Sequence, residues 1–271
     1  MWYLAVLVGS GIFLLPILWA VSTSLKLPGQ VFAFPPQFIP RPMVWENYVQ
    51  AWTGTVPFNL FFRNSLIITI IPTLGTILSC SLVAYGFALF RFPFREALFL
   101  IVLATLMIPV QVTVIPTYII FRYLGWLDTY KPFIVPSFFA DSAFSVFLLR
   151  QFYRSIPQDL VDSAKIDGAS FLRIFWSIFV PLGMPALATV AIFHFLSSWN
   201  DLWGPLIFLN SEKNMTVTFG LTLLRGKYGT MAGHSGSIMA GALLGVVPML
   251  ILYFVGQRYF VQGLARTGLK G

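Results

Sequence analysis

The sequence predicts an all-α integral membrane protein, a bundle of six transmembrane helices with kinked spans. Three observations predict it. The 271 residues are 58% hydrophobic and only 10% charged, whereas soluble domains average about 25% charged residues. Mean hydropathy is +0.82. Six apolar runs approach the ~20 residues a helix needs to cross hydrocarbon, and no stretch between them is left for a separate soluble domain, so residues 1–271 read as one transmembrane domain.

The first span is expected over 2–21. It has no positively charged leader and no small-residue cleavage pattern behind it, so it reads as a retained span rather than a signal peptide. A loop of roughly forty residues follows, in which Pro28, Pro35, Pro36, Pro40, Pro42 and Pro57 exclude long regular structure. Trp45, Tyr48 and Trp52 are near helical spacing there and suit a short interfacial helix. The second span is expected over 65–89, closed by Arg91 and Arg95, and the third over 97–121, interrupted by Pro109 and Pro116. The fourth, 132–152, carries Pro136 and Asp141; the fifth, 174–197, carries Pro181 and Pro185; the sixth, 237–257, carries Pro248. The piece WNDLWGPLIFLN between the fifth and sixth is too broken to span. Prolines in the third to sixth spans predict kinks whose freed carbonyls need other partners. Broken helices at that depth are common where a membrane protein lines a solute path.

Charge sets few further limits. The formal net charge of +8 reads as basic residues flanking spans and meeting anionic lipid, with no nucleic-acid partner. With both ends cytoplasmic, nine basic residues fall on the cytoplasmic side and eight on the other. The nine are packed more tightly beside the spans, which favours that orientation slightly. Cys80 is the one cysteine; it excludes a disulfide or cysteine-built metal site and reads as a small packing residue.

The densest charge lies in 156–187, IPQDLVDSAKIDGASFLRIFWSIFVPLGMPAL. Pro157 can open a helix, and Asp159 and Asp162 then sit near its positive end. Gly168 is the expected stop or bend. From the residues alone this is either only a solvated hairpin or an element with a purpose of its own.

Elsewhere, Asp141 is the one acid deep in a span. Such a residue normally faces the bundle interior or a watery cavity, so a solute-path role and an internal hydrogen-bonding role both stay open. Asn200 and Asp201 beside Trp199 and Trp203 suit sugar recognition, yet they also describe an interfacial aromatic belt, the preferred reading. His194 and His234 are too few and too far apart for a metal site and read as packing or interface residues. Gly233-His234-Ser235-Gly236 has the glycine–x–serine–glycine form of intramembrane serine proteases, but no histidine base follows Ser235. No phosphate-cradling G-x-x-x-x-G-K-[ST] loop occurs. A self-sufficient secondary transporter is the alternative function class; it predicts inverted halves and a coupling acid near each midplane, and only Asp141 fits.

Asp162-Ser163-Ala164-Lys165-Ile166-Asp167-Gly168-Ala169-Ser170, continuing to Ile178-Phe179-Val180-Pro181, resembles the EAA loop of binding-protein-dependent ABC importer permeases, E-A-A-x-x-D-G-A then I-x-L-P. Asp162 replaces the usual Glu, Ser163 the Ala, and Val180 the Leu. Ala84-Tyr85-Gly86-Phe87-Ala88 with Arg91-Phe92-Pro93-Phe94-Arg95, Met107-Ile108-Pro109 through Ile115-Pro116, and Phe147 to Phe152 also resemble the carbohydrate-importer branch, in particular the smaller maltose-transporter permease. So do Trp199-Asn200-Asp201 with Gly204-Pro205-Leu206, and the tail Gln257 to Leu264. The resemblance covers nearly the whole chain.

It implies a short cytoplasmic coupling helix between helices 4 and 5. Asp162, Ser163, Ala164, Asp167, Gly168 and Ala169 would contact a cytoplasmic ATPase dimer that holds ATP and Mg, while this chain binds no cofactor and is no enzyme. It further implies a homologous second permease, an extracytoplasmic solute-binding protein, and a bacterial or archaeal cytoplasmic membrane. Asp141, Trp199, Asn200 and Asp201 are the translocation-path candidates.

Overall fold

Each long apolar run is helical in the computed structural model, which describes residues 2–54, 58–228 and 235–268. Pro57, Gly233 and His234 therefore lie outside the described residues. The helices are α1 (Trp2–Ser24), α2 (Pro28–Val31), α3 (Glu46–Thr53), α4 (Phe58–Leu89), α5 (Arg95–Ala104), α6 (Val110–Tyr123), α7 (Lys131–Ile134) and α8 (Ala143–Tyr153). They continue as α9 (Gln158–Ile166), α10 (Phe171–Ile174), α11 (Val180–Trp199), α12 (Trp203–Phe208), α13 (Val217–Tyr228) and α14 (Ser235–Gly268). Among the described residues, five stretches are long and apolar enough to cross a membrane: Trp2–Ser24, Phe58–Leu89, Lys131–Tyr153, Phe171–Trp199 and Ser235–Gln257. The pair Arg95–Met107 and Val110–Tyr123, bent by 97° where Pro109 interrupts it, makes a sixth when counted as one broken span. Pro16 and Pro72 also lie inside α1 and α4, which run through them.

The chain forms two compact units, Met1–Ser65 with Ser211–Leu250, and Leu66–Asn210 with Ile251–Gly271. In the first, α4 begins at Phe58, seven residues before the Ser65 expected from hydropathy. Asn64, in this extra stretch, and the neighbouring Ser65 are satisfied by the segment around Lys213–Val217. Asn64 Nδ2 donates to the carbonyls of Lys213 and Met215 at 2.8 and 2.9 Å, and Ser65 Oγ accepts from the Val217 N–H at 2.8 Å. The interfacial helix expected around Trp45–Trp52 is α3. Its Asn47 ties the end of the first span by donating to the carbonyls of Ser24 and Lys26. Lys26 is buried with its Nζ 4.0 Å above the Trp19 ring, and burial lowers its pKa from the usual lysine value.

The second unit holds the larger core. Tyr85 of α4, Phe99 of α5, Leu149 and Tyr153 of α8, and Phe175, Phe179 and Val190 of the fifth span pack together. Tyr153 brings a hydroxyl into this core, where it is hydrogen-bonded to Ser81 Oγ at 2.6 Å, as a buried polar group requires. Val161 of α9 joins the same cluster at 1% exposure, so the segment after the fourth span is anchored in the core.

Candidate functional site

The hairpin after the fourth span is a short amphipathic helix with a closed C-terminus. Pro157 is the cap residue before α9, Asp159 sits in the first turn and Lys165 in the last, each where the helix dipole favours its charge. Gly168 has φ +75°, and its N–H donates to the Lys165 carbonyl at 3.0 Å while Ala169 N–H donates to Ala164 at 2.9 Å. These bonds form a Schellman ending, which satisfies orphan carbonyls and requires a left-handed residue at this position. The Asp162 carboxylate accepts from Lys165 Nζ at 3.0 Å and from Gln158 Nε2 at 3.3 Å, and Lys165 and Gln158 hold its pKa below the usual carboxylate range.

Two faces result. Val161 faces the core, and Ala164 and Ala169 are half-buried against it. Asp162, Ser163, Asp167 and Gly168 are exposed, together with Leu160 and Ile166, the latter at 87%. Sequence alone does not single out the apolar pair Leu160 and Ile166, because only the buried position of Val161 fixes which way α9 is rolled. Ser170 then caps α10 by accepting from Arg173 N–H. The fifth span opens with a π turn over Phe175–Phe179, where Val180 N–H reaches the Phe175 carbonyl just before Pro181.

The second feature lies halfway along the fourth span. Lys131–Tyr153 is continuous in length, but α7 ends at Ile134, a 3₁₀ turn covers Pro136–Phe139, and α8 restarts at Ala143. Between them Ala140 adopts φ 54°, ψ 46°, and Ser142 caps α8 by accepting from Ser145 N–H at 3.3 Å. The freed backbone groups find partners on α4. Ser79 Oγ donates to the Ser137 carbonyl at 2.6 Å and accepts from Ala140 N–H at 3.1 Å. Gly75 admits this approach, since a Cβ there would strike Ser137 Oγ and the Phe138 ring.

Asp141 sits in the break and is exposed. His194 of α11 is near enough to interact electrostatically with its carboxyl. The Thr76 hydroxyl, wholly buried, lies beside the same carboxyl yet makes no hydrogen bond of ordinary geometry. Thr73 Oγ1 donates to the Thr69 carbonyl at 2.6 Å, so toward His194 Nδ1 at 3.0 Å it can only accept, which places a proton on Nδ1. Sequence alone makes His194 a packing residue; its neighbours are too remote along the chain for spacing to reveal the pairing.

At the C-terminal end of the fifth span the candidates separate. Trp199 is 3% exposed and stacked on Phe195 at 5.7 Å, so it presents no ring face to a solute. Asn200 is exposed, with its Nδ2 donating to the Leu196 carbonyl at 2.7 Å. Asp201 Oδ1 accepts from Gly204 N–H at 3.1 Å, bracing the start of α12. Burial raises the Asp201 pKa above its ordinary value, against the opposing pull of the Gly204 and Trp203 backbone N–H groups. Among the described residues no cluster of three or more His, Cys, Asp or Glu could hold a metal.

A multi-pass helical membrane protein with a broken, polar-lined fourth span and a core-anchored hairpin defines a membrane transport subunit. Residues 73–266 match the family described as binding-protein-dependent transport system inner membrane component, and the chain belongs to that family. It is 31% identical over 267 residues to the sn-glycerol-3-phosphate transport system permease protein UgpE of Yersinia pestis bv. Antiqua, covering 97% of this chain and 94% of the relative. It is 32% identical over 262 residues to the arabinooligosaccharides transport system permease protein AraQ of Bacillus subtilis, covering 96% and 92%. Its fold is shared with a chain of the crystal structure of a bacterial ABC transporter involved in the import of the acidic polysaccharide alginate. That match has a TM-score of 0.82, 24% identity and 96% coverage of both chains. The chain is thus a permease subunit of a binding-protein-dependent import system, a multi-pass inner-membrane component rather than an enzyme.

Proposed function

We propose that this chain forms half of the translocation path of an ATP-driven importer for a carbohydrate or related polyol, acting over 1–271 as one permease domain. The observation that carries the reading is the hairpin 158–170. One side of α9 is locked into the core by Val161, while the other offers Leu160, Asp162, Ser163, Ile166 and Gly168 to a partner. An element fixed to the bundle on one side and open on the other is what transmission of force from a separate ATPase requires. ATP and Mg then belong to that ATPase dimer. A second, homologous permease supplies the other half of the path, and an extracytoplasmic binding protein delivers the solute. Both termini and the hairpin are cytoplasmic in this scheme. Asp141 and Asn200 border the path, with Trp199 and Asp201 holding the outer end of the fifth span. Relatives named for sn-glycerol-3-phosphate and for arabinooligosaccharides support a polyhydroxylated solute.

Single cysteines at Asp162 and Ile166, in a Cys80→Ser background, test the reading. Both should crosslink to the ATPase subunit and be protected from membrane-impermeant reagents added outside. Labelling from the outer face, or solute accumulation by the permease pair in vesicles lacking the ATPase, would overturn the proposal in favour of a self-sufficient secondary transporter.

A further inference from the structure

The junction between the hairpin and the fifth span is irregular for a reason legible in the sequence. Pro181 has no N–H to offer the Ser177 carbonyl, and its ring crowds that oxygen. The helix widens instead into the π turn over Phe175–Phe179, where Val180 N–H donates to the Phe175 carbonyl, five residues back. A turn of this kind adds one residue to a helix, and one residue is about 100° of roll at 3.6 per turn. The roll of α10, and of the hairpin joined to it, is therefore decided where the α ladder is interrupted. Sharp bends concentrate at such interruptions.

Tyr85 of α4 bridges this junction. Its buried ring lies 5.2 Å from Phe175 and 4.7 Å from Phe179, the first and last residues of the π turn. Its hydroxyl donates to the Phe171 carbonyl at 3.0 Å. That carbonyl also accepts from Phe175 N–H within its own helix, so one oxygen with two lone pairs is tied along α10 and across to α4. Only Ser170 separates Phe171 from Ala169, whose N–H is bonded to the Ala164 carbonyl of α9. Among the described residues the Tyr85 bond is the one hydrogen bond joining α4 to residues 156–179. Around it the contacts are aromatic, with Phe90 edge-on to Phe171 at 4.9 Å. Apolar packing is non-directional and survives a roll, whereas a hydrogen bond weakens steeply off its axis.

We infer that Tyr85 is a positioning residue for transport: its hydroxyl holds the roll of the hairpin's return against α4, so that the hairpin and the second span move as one body across the π turn. The inference rests on the coupling role proposed above for the hairpin and adds the residue through which that motion reaches a second helix.

The test uses the complete importer in vesicles, with Cys80→Ser as background. Spin labels are attached at Asp159→Cys, exposed on α9, and at Val83→Cys, exposed on α4. Pulsed electron paramagnetic resonance reads the distance between them with and without a non-hydrolysable ATP analogue. With Tyr85 in place the distance distribution should be the same in both states. Tyr85→Phe, which keeps the ring and loses the hydroxyl, should leave the nucleotide-free distribution unchanged and add a second, displaced population when the analogue is bound. A distance that shifts with nucleotide while Tyr85 is present overturns the inference. So does a Tyr85→Phe complex that differs only in melting temperature, with distributions identical to those of the Tyr85 protein, because the bond is then structural alone. Failure of Ile166→Cys to crosslink to the ATPase would remove the coupling reading, and this inference with it; an intact crosslink beside identical distributions removes the role of Tyr85 only.

Discussion

Arg150 of α8 places its Nη2 within 2.8 and 2.7 Å of the two carboxylate oxygens of Glu96 in α5. Its guanidinium also lies 3.8 Å over the Phe99 ring. The arginine side chain is 3% exposed, so most of its solvation has been replaced by this one carboxylate and one aromatic face. Arg150→Met should lower the melting temperature by roughly 5 °C, through loss of the pair and of packing. Exchanging the charges, Glu96→Arg with Arg150→Glu, should not restore it, because the stack on Phe99 needs a planar cation. Thermal unfolding in detergent measures both.

Gly168 is strained for side chains but not crowded. Its φ is +75°, and nothing lies within 4 Å of where a Cβ would be. Gly168→Asn should therefore be tolerated, whereas Gly168→Val meets the left-handed penalty of about 1–2 kcal/mol. The valine variant should insert normally yet lose coupling between ATP hydrolysis and transport. Uptake per ATP hydrolysed, compared across the two variants, checks this; normal uptake by Gly168→Val would count against the role proposed for the hairpin.

The two faces of α9 should respond differently. Val161→Ala removes two buried methyl carbons from the core and should destabilise by about 2 kcal/mol. Ile166→Ser, at an 87% exposed position, should leave the melting temperature unchanged and weaken association with the ATPase, which co-purification would detect.

At the mid-span break, Ser79→Ala leaves the Ala140 N–H and the Ser137 carbonyl without their partner. Each buried group left unsatisfied costs about 1–3 kcal/mol. A lower melting temperature and a more reactive Cys80, now 0% exposed, are the expected outcomes.

Asp201 supplies a pH dependence. Its folded-state pKa is raised by burial, so its favourable contribution is complete below the ordinary Asp value of about 3.9 and is lost as pH rises through the folded value. Asp201→Asn keeps an oxygen for Gly204 N–H and removes the charge. Its melting temperature relative to wild type should rise from about pH 4 toward neutrality; a flat difference would disprove the effect.

How much of this is legible in the sequence depends on whether the cause is local. Pro109 predicts the interruption that becomes a 97° bend, and Pro136 marks the fourth span as broken. Gly168 marks the end of α9. Pro16 and Pro72 show the limit of that logic, since α1 and α4 continue through them. Early entry into α4 is hidden because Asn59, Arg63 and Asn64 depress hydropathy, and only the distant Lys213 and Met215 carbonyls explain how Asn64 is accommodated. Asp141 is visible as a lone acid in an apolar run. Its companions are not, because Thr73 and His194 meet across 121 positions of sequence. Trp199 looks like a stacking surface by type and flanking residues, and its burial on Phe195 is decided by side-chain direction, which composition does not encode.

The interruption at Ala140–Ser142 also determines how the fourth span answers a push from below. A continuous helix would behave as a stiff rod, tilting both its ends together. Here the segment Ala143–Tyr153 packs in one core with Val161 of the hairpin and meets α4 through Tyr153 and Ser81, and the segment before the break meets α4 at Gly75 and Ser79. The span becomes a jointed arm with Asp141 at the elbow, so in the scheme proposed above a stroke delivered at the hairpin would reorient that carboxylate without tilting the whole span as one rod.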